Sequence, residues 1–179
     1  MSRTTDLVDR LYACHAGRTN WHEFECVCGE ILEHLFVPPL SRPIAQPRTY
    51  SGTNRRDLVF PNRIVDGATN WGLLRYELNA RMVLFEFKNY NLTEIGHEEV
   101  VQADNYLNEP MGKLAIIVCS RLPDNGAHIQ RNTIYGRSGK VILFVTKDHL
   151  KEMLFIKERG EDPSDLIIDL VEQFYLQHE

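Results

Sequence analysis

The chain has 179 residues, 43% of them hydrophobic and 25% charged, with a net charge of −5. This is the balance of a single ordinary globular domain, and no apolar run approaches the roughly 20 residues a membrane-spanning helix needs. The charge is uneven: Arg42 to Lys88 holds eight basic and four acidic residues, while the remainder holds 12 basic and 21 acidic, so a basic middle in an acidic chain offers a footprint for a phosphate backbone.

The N-terminal peptide lacks the apolar core of a signal sequence, so a cytoplasmic protein with reduced cysteines is expected. Thr5 to Ala16 reads as a short helix. Trp21 to Phe36 reads as a longer one, with Trp21, Phe24, Cys28, Ile31, Leu32 and Leu35 on one stripe and Asn20 and Glu23 set to form a capping box. Glu25 falls within about 70° of the centre of that apolar stripe, unlike the other glutamates of the helix.

Four of the eight prolines lie between Val37 and Arg56, which with Ser51-Gly52 predicts an extended, irregular connection. It leads to Asp57 at the head of a short apolar run, DLVF, ended by Pro61-Asn62. Asn70 to Asn79 suits a small helix and Arg81 to Asn89 a strong strand. Glu98 to Leu107 reads as a helix with Gln102 and Tyr106 one turn apart on the same face. Leu114 to Ser120 and Val141 to Thr146 are continuous apolar runs of interior strands, so the sheet is sandwiched by helices. Asp124 to Gly139 reads as partly helical. Helices follow from Lys147 to Lys157 and from Pro163 to Leu176, the second capped by Asp162 with proline at its first position.

The strand VLFEFKNY carries the pattern that most needs explaining. Alternation puts Glu86 and Lys88 on one face with Leu84, while Val83, Phe85 and Phe87 share the other. Buried charges cost several kcal/mol unless paired or bound to a metal, so these two require a partner, a cation or a solvent-filled site. With Asp57 and Glu25 they make a set of carboxylates suited to a hard divalent cation such as Mg²⁺ (or Mn²⁺), and the adjacent ammonium suits phosphodiester hydrolysis.

Asp57, then Glu86-Phe87-Lys88, resembles the core motif of the PD-(D/E)xK, or restriction-endonuclease-like, nuclease superfamily, with RRD standing where that family has Pro-Asp. Phe24-Glu25 resembles the FE pair of Mrr-like enzymes, and Gln102-Ala103-Asp104-Asn105-Tyr106 resembles their QxxxY element. The longer span from Trp21 to Ser120 looks like effector nuclease domains of prokaryotic defence proteins. The resemblance implies an α/β restriction-endonuclease-like core over about residues 21–146, with a mixed central sheet flanked by helices on both faces and C-terminal helices over 147–178. It implies a Mg-dependent deoxyribonuclease acting in anti-phage defence or restriction. Asp57, Glu86, Glu25 and the Phe87 carbonyl would serve the metal, Lys88 the attacking water or scissile phosphate, and Gln102 would assist. Arg55, Arg56, Asn89, Tyr90 and Tyr106 would face DNA, although the first four read equally well as surface or loop residues. A homodimer, and control by a sensor domain on another chain or on sequence outside this one, are further implications.

Other chemistries fit less well. Neither glycine-lysine stretch has P-loop spacing. Cys26 and Cys28 diverge by roughly 200° on a helix, against a zinc pair. Cys119 reads as a core cysteine before a nucleophile. The rival from a different class is a catalytically silent nuclease-fold module that binds nucleic acid or dimerises.

Overall fold

A computed structural model describes residues 2–48, 50 and 55–178, and the Ser51-Gly52 turn lies outside them. Among the described residues the chain is α/β, with seven α-helices around one five-stranded sheet. The strands β1 (Ile44–Ala45), β2 (Leu58–Pro61), β3 (Met82–Lys88), β4 (Leu114–Cys119) and β5 (Val141–Thr146) lie in sequence order. β1, β2 and β3 pair antiparallel, whereas β3, β4 and β5 run parallel, so the sheet is mixed.

Side-chain alternation divides the interior into two cores. Val83, Phe85, Ile116, Val118, Leu143 and Val145 face α1 (Arg3–Ala13), α2 (Trp21–Phe36), α3 (Asn70–Leu78), α6 (Lys147–Glu158) and α7 (Asp165–Gln177). Leu84, Ala115, Ile117, Ile142 and Phe144 face α4 (His97–Tyr106) and α5 (Asn125–Ser138). Every residue of β4 is buried because both of its faces are covered, which is why its sequence is unbroken in apolarity. Aromatic edges lock the first core, with Phe36 meeting Trp71 at 5.0 Å and Phe60 meeting Phe85 at 5.4 Å between ring centroids.

Several expected boundaries shift for local reasons. α1 begins two residues before Thr5 because the Ser2 hydroxyl accepts the Thr5 N–H, and it ends at Ala13 rather than Ala16. Asn20 holds the N-cap position of α2 but closes a 3-10 turn over Arg18–Asn20, with φ −109° and ψ 18°, and its side chain makes no capping bond. Trp21, one residue later, is exposed instead of joining the buried stripe of Phe24, Cys28, Ile31, Leu32 and Leu35. Asp162 holds the turn before α7, its Oδ1 accepting from the Ser164 N–H at 2.9 Å and hydroxyl at 2.6 Å, so the helix starts beyond Pro163. The stretch with mixed signals, Asp124 to Gly139, is one continuous helix capped by Asp124, whose Oδ1 accepts from the Ala127 N–H at 2.7 Å. Asp124→Ala is expected to destabilise the protein by about 1 kcal/mol in urea denaturation, the usual value of such a cap.

All four cysteines are free; Cys26 is exposed and Cys28 buried, as their divergence on α2 requires. No helix among the described residues is long and apolar enough to cross a membrane.

Candidate active site

The antiparallel register of β2 and β3 sets Leu58 opposite Phe85, which carries Asp57 to a position across from Glu86 at the end of the pair. Asp57 is tied to β3 by two bonds, one to Glu86 and one from Phe87. The Asp57 N–H donates to Glu86 Oε1 at 3.3 Å, and the Phe87 N–H donates to Asp57 Oδ2 at 2.8 Å. Lys88, on the same face as Glu86 by strand alternation, puts Nζ 3.7 Å from Glu86 Oε2 and donates to Gln102 Oε1 at 2.7 Å. Gln102 then donates through Nε2 to the Tyr106 hydroxyl at 2.8 Å, the bond its one-turn spacing on α4 permits. Asp57, Glu86, Lys88, Gln102 and Tyr106 thus form one row that runs from the β2–β3 strand end onto α4, joined by hydrogen bonds except for the 3.7 Å charge contact between Glu86 and Lys88.

Glu86 is 1% exposed. Burial, reinforced by the neighbouring Asp57 charge and opposed by Lys88, raises its pKa from the ordinary carboxylate value of 4.5 to about 8. Glu86 therefore ionises near neutrality only if a further positive charge takes the place of its proton.

Glu25 approaches by another route. Gln46 donates through Nε2 to Glu25 Oε1 at 3.0 Å, and its backbone N–H donates to the Asp57 carbonyl at 2.8 Å. Gln46 therefore straps α2 to the head of β2, and it does so with a positive φ of 50°. Among the described residues, no three His, Cys, Asp or Glu side chains are grouped as metal ligands, so Glu25 is not a third member of the Asp57–Glu86 pair in this arrangement. Gln46 has no signal in the sequence, since it sits inside the proline-rich connection.

The flanking residues have diverse roles. Arg55 is exposed. Arg56 is buried, and its Nε and Nη2 donate to the Tyr106 carbonyl at 3.3 and 3.0 Å, with its guanidinium 5.9 Å from the Tyr106 ring centroid. Asn89 is buried too, its amide donating to the carbonyls of His15, Gly17 and Asn20. Both side chains hold loops beside the site. The Tyr90 hydroxyl donates to Glu99 Oε1 at 2.9 Å, and Tyr106 is 8% exposed. Arg56→Ala would leave the Tyr106 carbonyl without its two donors, for an expected loss of about 1–3 kcal/mol in urea denaturation.

No family model matches the chain, and no solved structure matches it. The chain is similar to the transposon gamma-delta 80.3 kDa protein of Escherichia coli (strain K12), at 29% identity over 119 residues. That stretch covers 66% of this chain and 16% of the transposon protein, so the chain spans a small part of that relative's length.

Proposed function

We propose that the protein is a metal-dependent endonuclease hydrolysing phosphodiester bonds of DNA, with the restriction-endonuclease-like core that its motifs resemble. The observation that carries this reading is the row Asp57–Glu86–Lys88–Gln102–Tyr106. Three separate stretches of sequence, each singled out for its own reason, converge there.

The donor set suits Mg²⁺ or Mn²⁺, because such hard cations take oxygen ligands and Mg²⁺ is held by only one or two carboxylates beside waters and substrate oxygens. Asp57 and Glu86 would hold the ion, with the Phe87 carbonyl beside them, while Glu25, bonded to Gln46, stands outside the pair. When bound, the cation polarises the phosphoryl oxygen and lowers the pKa of the water it carries. Lys88 has three N–H donors, and Gln102 and Glu86 engage two of its directions. The third serves the attacking water or the scissile phosphate, where an ammonium stabilises developing charge. Gln102, fixed by the Tyr106 hydroxyl, holds Lys88 against rotation. Arg55 offers an exposed guanidinium for the DNA backbone.

The partial similarity to a transposon protein is compatible with a DNA setting, and a role in prokaryotic anti-phage defence or restriction follows from the sequence resemblance. A homodimer would allow both strands to be cut, and a sensor on another chain or a further domain would control when. One observation favours a second reading, a silent module that binds nucleic acid or dimerises: Lys88 already has an acceptor in Gln102 Oε1 at 2.7 Å, and Asp57 accepts from the Phe87 N–H, so the row holds together without a cation.

Incubation of supercoiled and linear double-stranded DNA with the protein in Mg²⁺, Mn²⁺ or EDTA tests the proposal. Nicking or linearisation that requires metal is the expected result. Metal-independent DNA binding with no cleavage in any metal would favour the silent module.

A further inference from the structure

Arg131 on α5 is a buried cation without an anion. It is 8% exposed, and its guanidinium carbon lies 5.2 Å from the Phe144 ring centroid and 4.9 Å from that of Phe174. Its Nη2 makes a single long bond to Gln177 Oε1 at 3.4 Å, and its Nε has no hydrogen-bond partner among the described residues. The two rings offset part of the desolvation cost through cation–π attraction, but a guanidinium cannot shed its proton to escape burial. A partner oxygen is missing.

The same guanidinium lines a cavity of about 290 Å³ beside the edge strand β5, between α5 and α7 and next to the start of α6. Beside Arg131, its polar lining is His128, His149, Thr146, Gln173 and Gln177, its apolar wall includes Leu143 and Leu170, and no carboxylate is among the residues that line it. Asp124, one turn before His128, already has Oδ1 engaged by the Ala127 N–H. His149 accepts the Thr146 N–H on Nδ1 at 3.2 Å, so in its neutral form the other ring nitrogen carries the proton and donates. Burial lowers the pKa of both histidines, leaving Arg131 as the lasting positive charge.

We infer that this cavity binds a small organic oxyanion, a phosphate monoester or a carboxylate, with Arg131 gripping the charged end and the apolar wall holding the rest. The volume is at the lower end for small-molecule sites, and apolar walls around a few convergent polar groups are their usual lining. An oxyanion supplies the acceptors that the guanidinium lacks, in the charge-assisted geometry that favours arginine. The cavity is separate from the Asp57–Glu86 site, although Glu86, Ile117 and Phe144 lie in one register row across β3, β4 and β5. Two strand spacings of about 4.8 Å separate the ends of that row.

Thermal unfolding of the full chain, at fixed ionic strength set with chloride, tests the inference with three probes: inorganic phosphate, adenosine monophosphate and benzoate. At least one should raise Tm by several degrees at millimolar concentration. A rise with adenosine monophosphate alone identifies a phosphate monoester site, and one with benzoate alone a carboxylate site. Gln177→Glu would place an internal anion against Arg131; it should raise Tm without ligand and abolish the response. Lys88→Ala should keep the response, which distinguishes this cavity from the candidate active site. No rise with any probe, an undiminished rise in Gln177→Glu, or loss of the rise in Lys88→Ala would each overturn the inference.

Discussion

Lys88→Ala is expected to lower metal-dependent DNA cleavage by about 10³-fold or more while leaving the fold and the cation site in place. Groups that transfer protons or stabilise developing charge in the transition state contribute roughly 10² to 10⁴ in rate. Lys88 is placed for either task by two contacts, Gln102 Oε1 at 2.7 Å and Glu86 Oε2 at 3.7 Å. Removing the ammonium also removes the positive charge that lowers the Glu86 pKa, so metal binding should persist with a stronger dependence on pH. Gln102→Ala provides the graded comparison. It keeps the ammonium but frees its rotation, so a smaller fall, on the order of tenfold, is expected from loss of positioning alone. Single-turnover cleavage of a defined duplex measures both variants. Equal and complete loss in the two would point instead to collapse of the row.

The second large effect concerns pH. The Glu86 pKa is about 8 in the folded protein against an ordinary 4.5, so between these values the folded chain holds a proton that the unfolded chain has released. Stability therefore falls as pH rises through that window: the contribution is fully present below about pH 4.5 and is lost by about pH 8. At about 1.4 kcal/mol per pKa unit, the change is on the order of a few kcal/mol. Glu86→Gln keeps an oxygen for the Asp57 N–H but cannot ionise. It should flatten this part of the profile and be more stable than the wild type above pH 8, as urea denaturation from pH 5 to pH 9 would read. A divalent cation works against the proton, since it favours ionised Glu86; added Mg²⁺ should restore wild-type stability at high pH and do nothing for Glu86→Gln.

Periodicity revealed much of this architecture. Alternation along β3 put Glu86 and Lys88 on one face, and the unbroken apolarity of β4 and β5 marked strands covered on both sides. The one-turn spacing of Gln102 and Tyr106 put them on one face of α4, where they hydrogen-bond. These features follow from short-range geometry, which a sequence records directly. Long-range polar bonds leave no such trace: Gln46 joins Glu25 to the head of β2 from a proline-rich stretch, and Arg56 reaches the Tyr106 carbonyl across 50 positions. Arginine in a basic stretch reads as a surface charge, yet burial of Arg56 ties the approach to β2 against the end of α4. Asn20 was misleading for a related reason, because the preceding 3-10 turn gives it a backbone from which its side chain makes no capping bond.

Titration of Mn²⁺ into the wild type and Glu86→Ala by calorimetry, in two buffers of different ionisation enthalpy at pH 7, addresses the central claim that Asp57 and Glu86 form a cation site. The account predicts saturable binding with proton release in the wild type, as the raised Glu86 pKa requires, and loss of both in the variant. Equal binding by the two proteins, or no binding by the wild type, would contradict it.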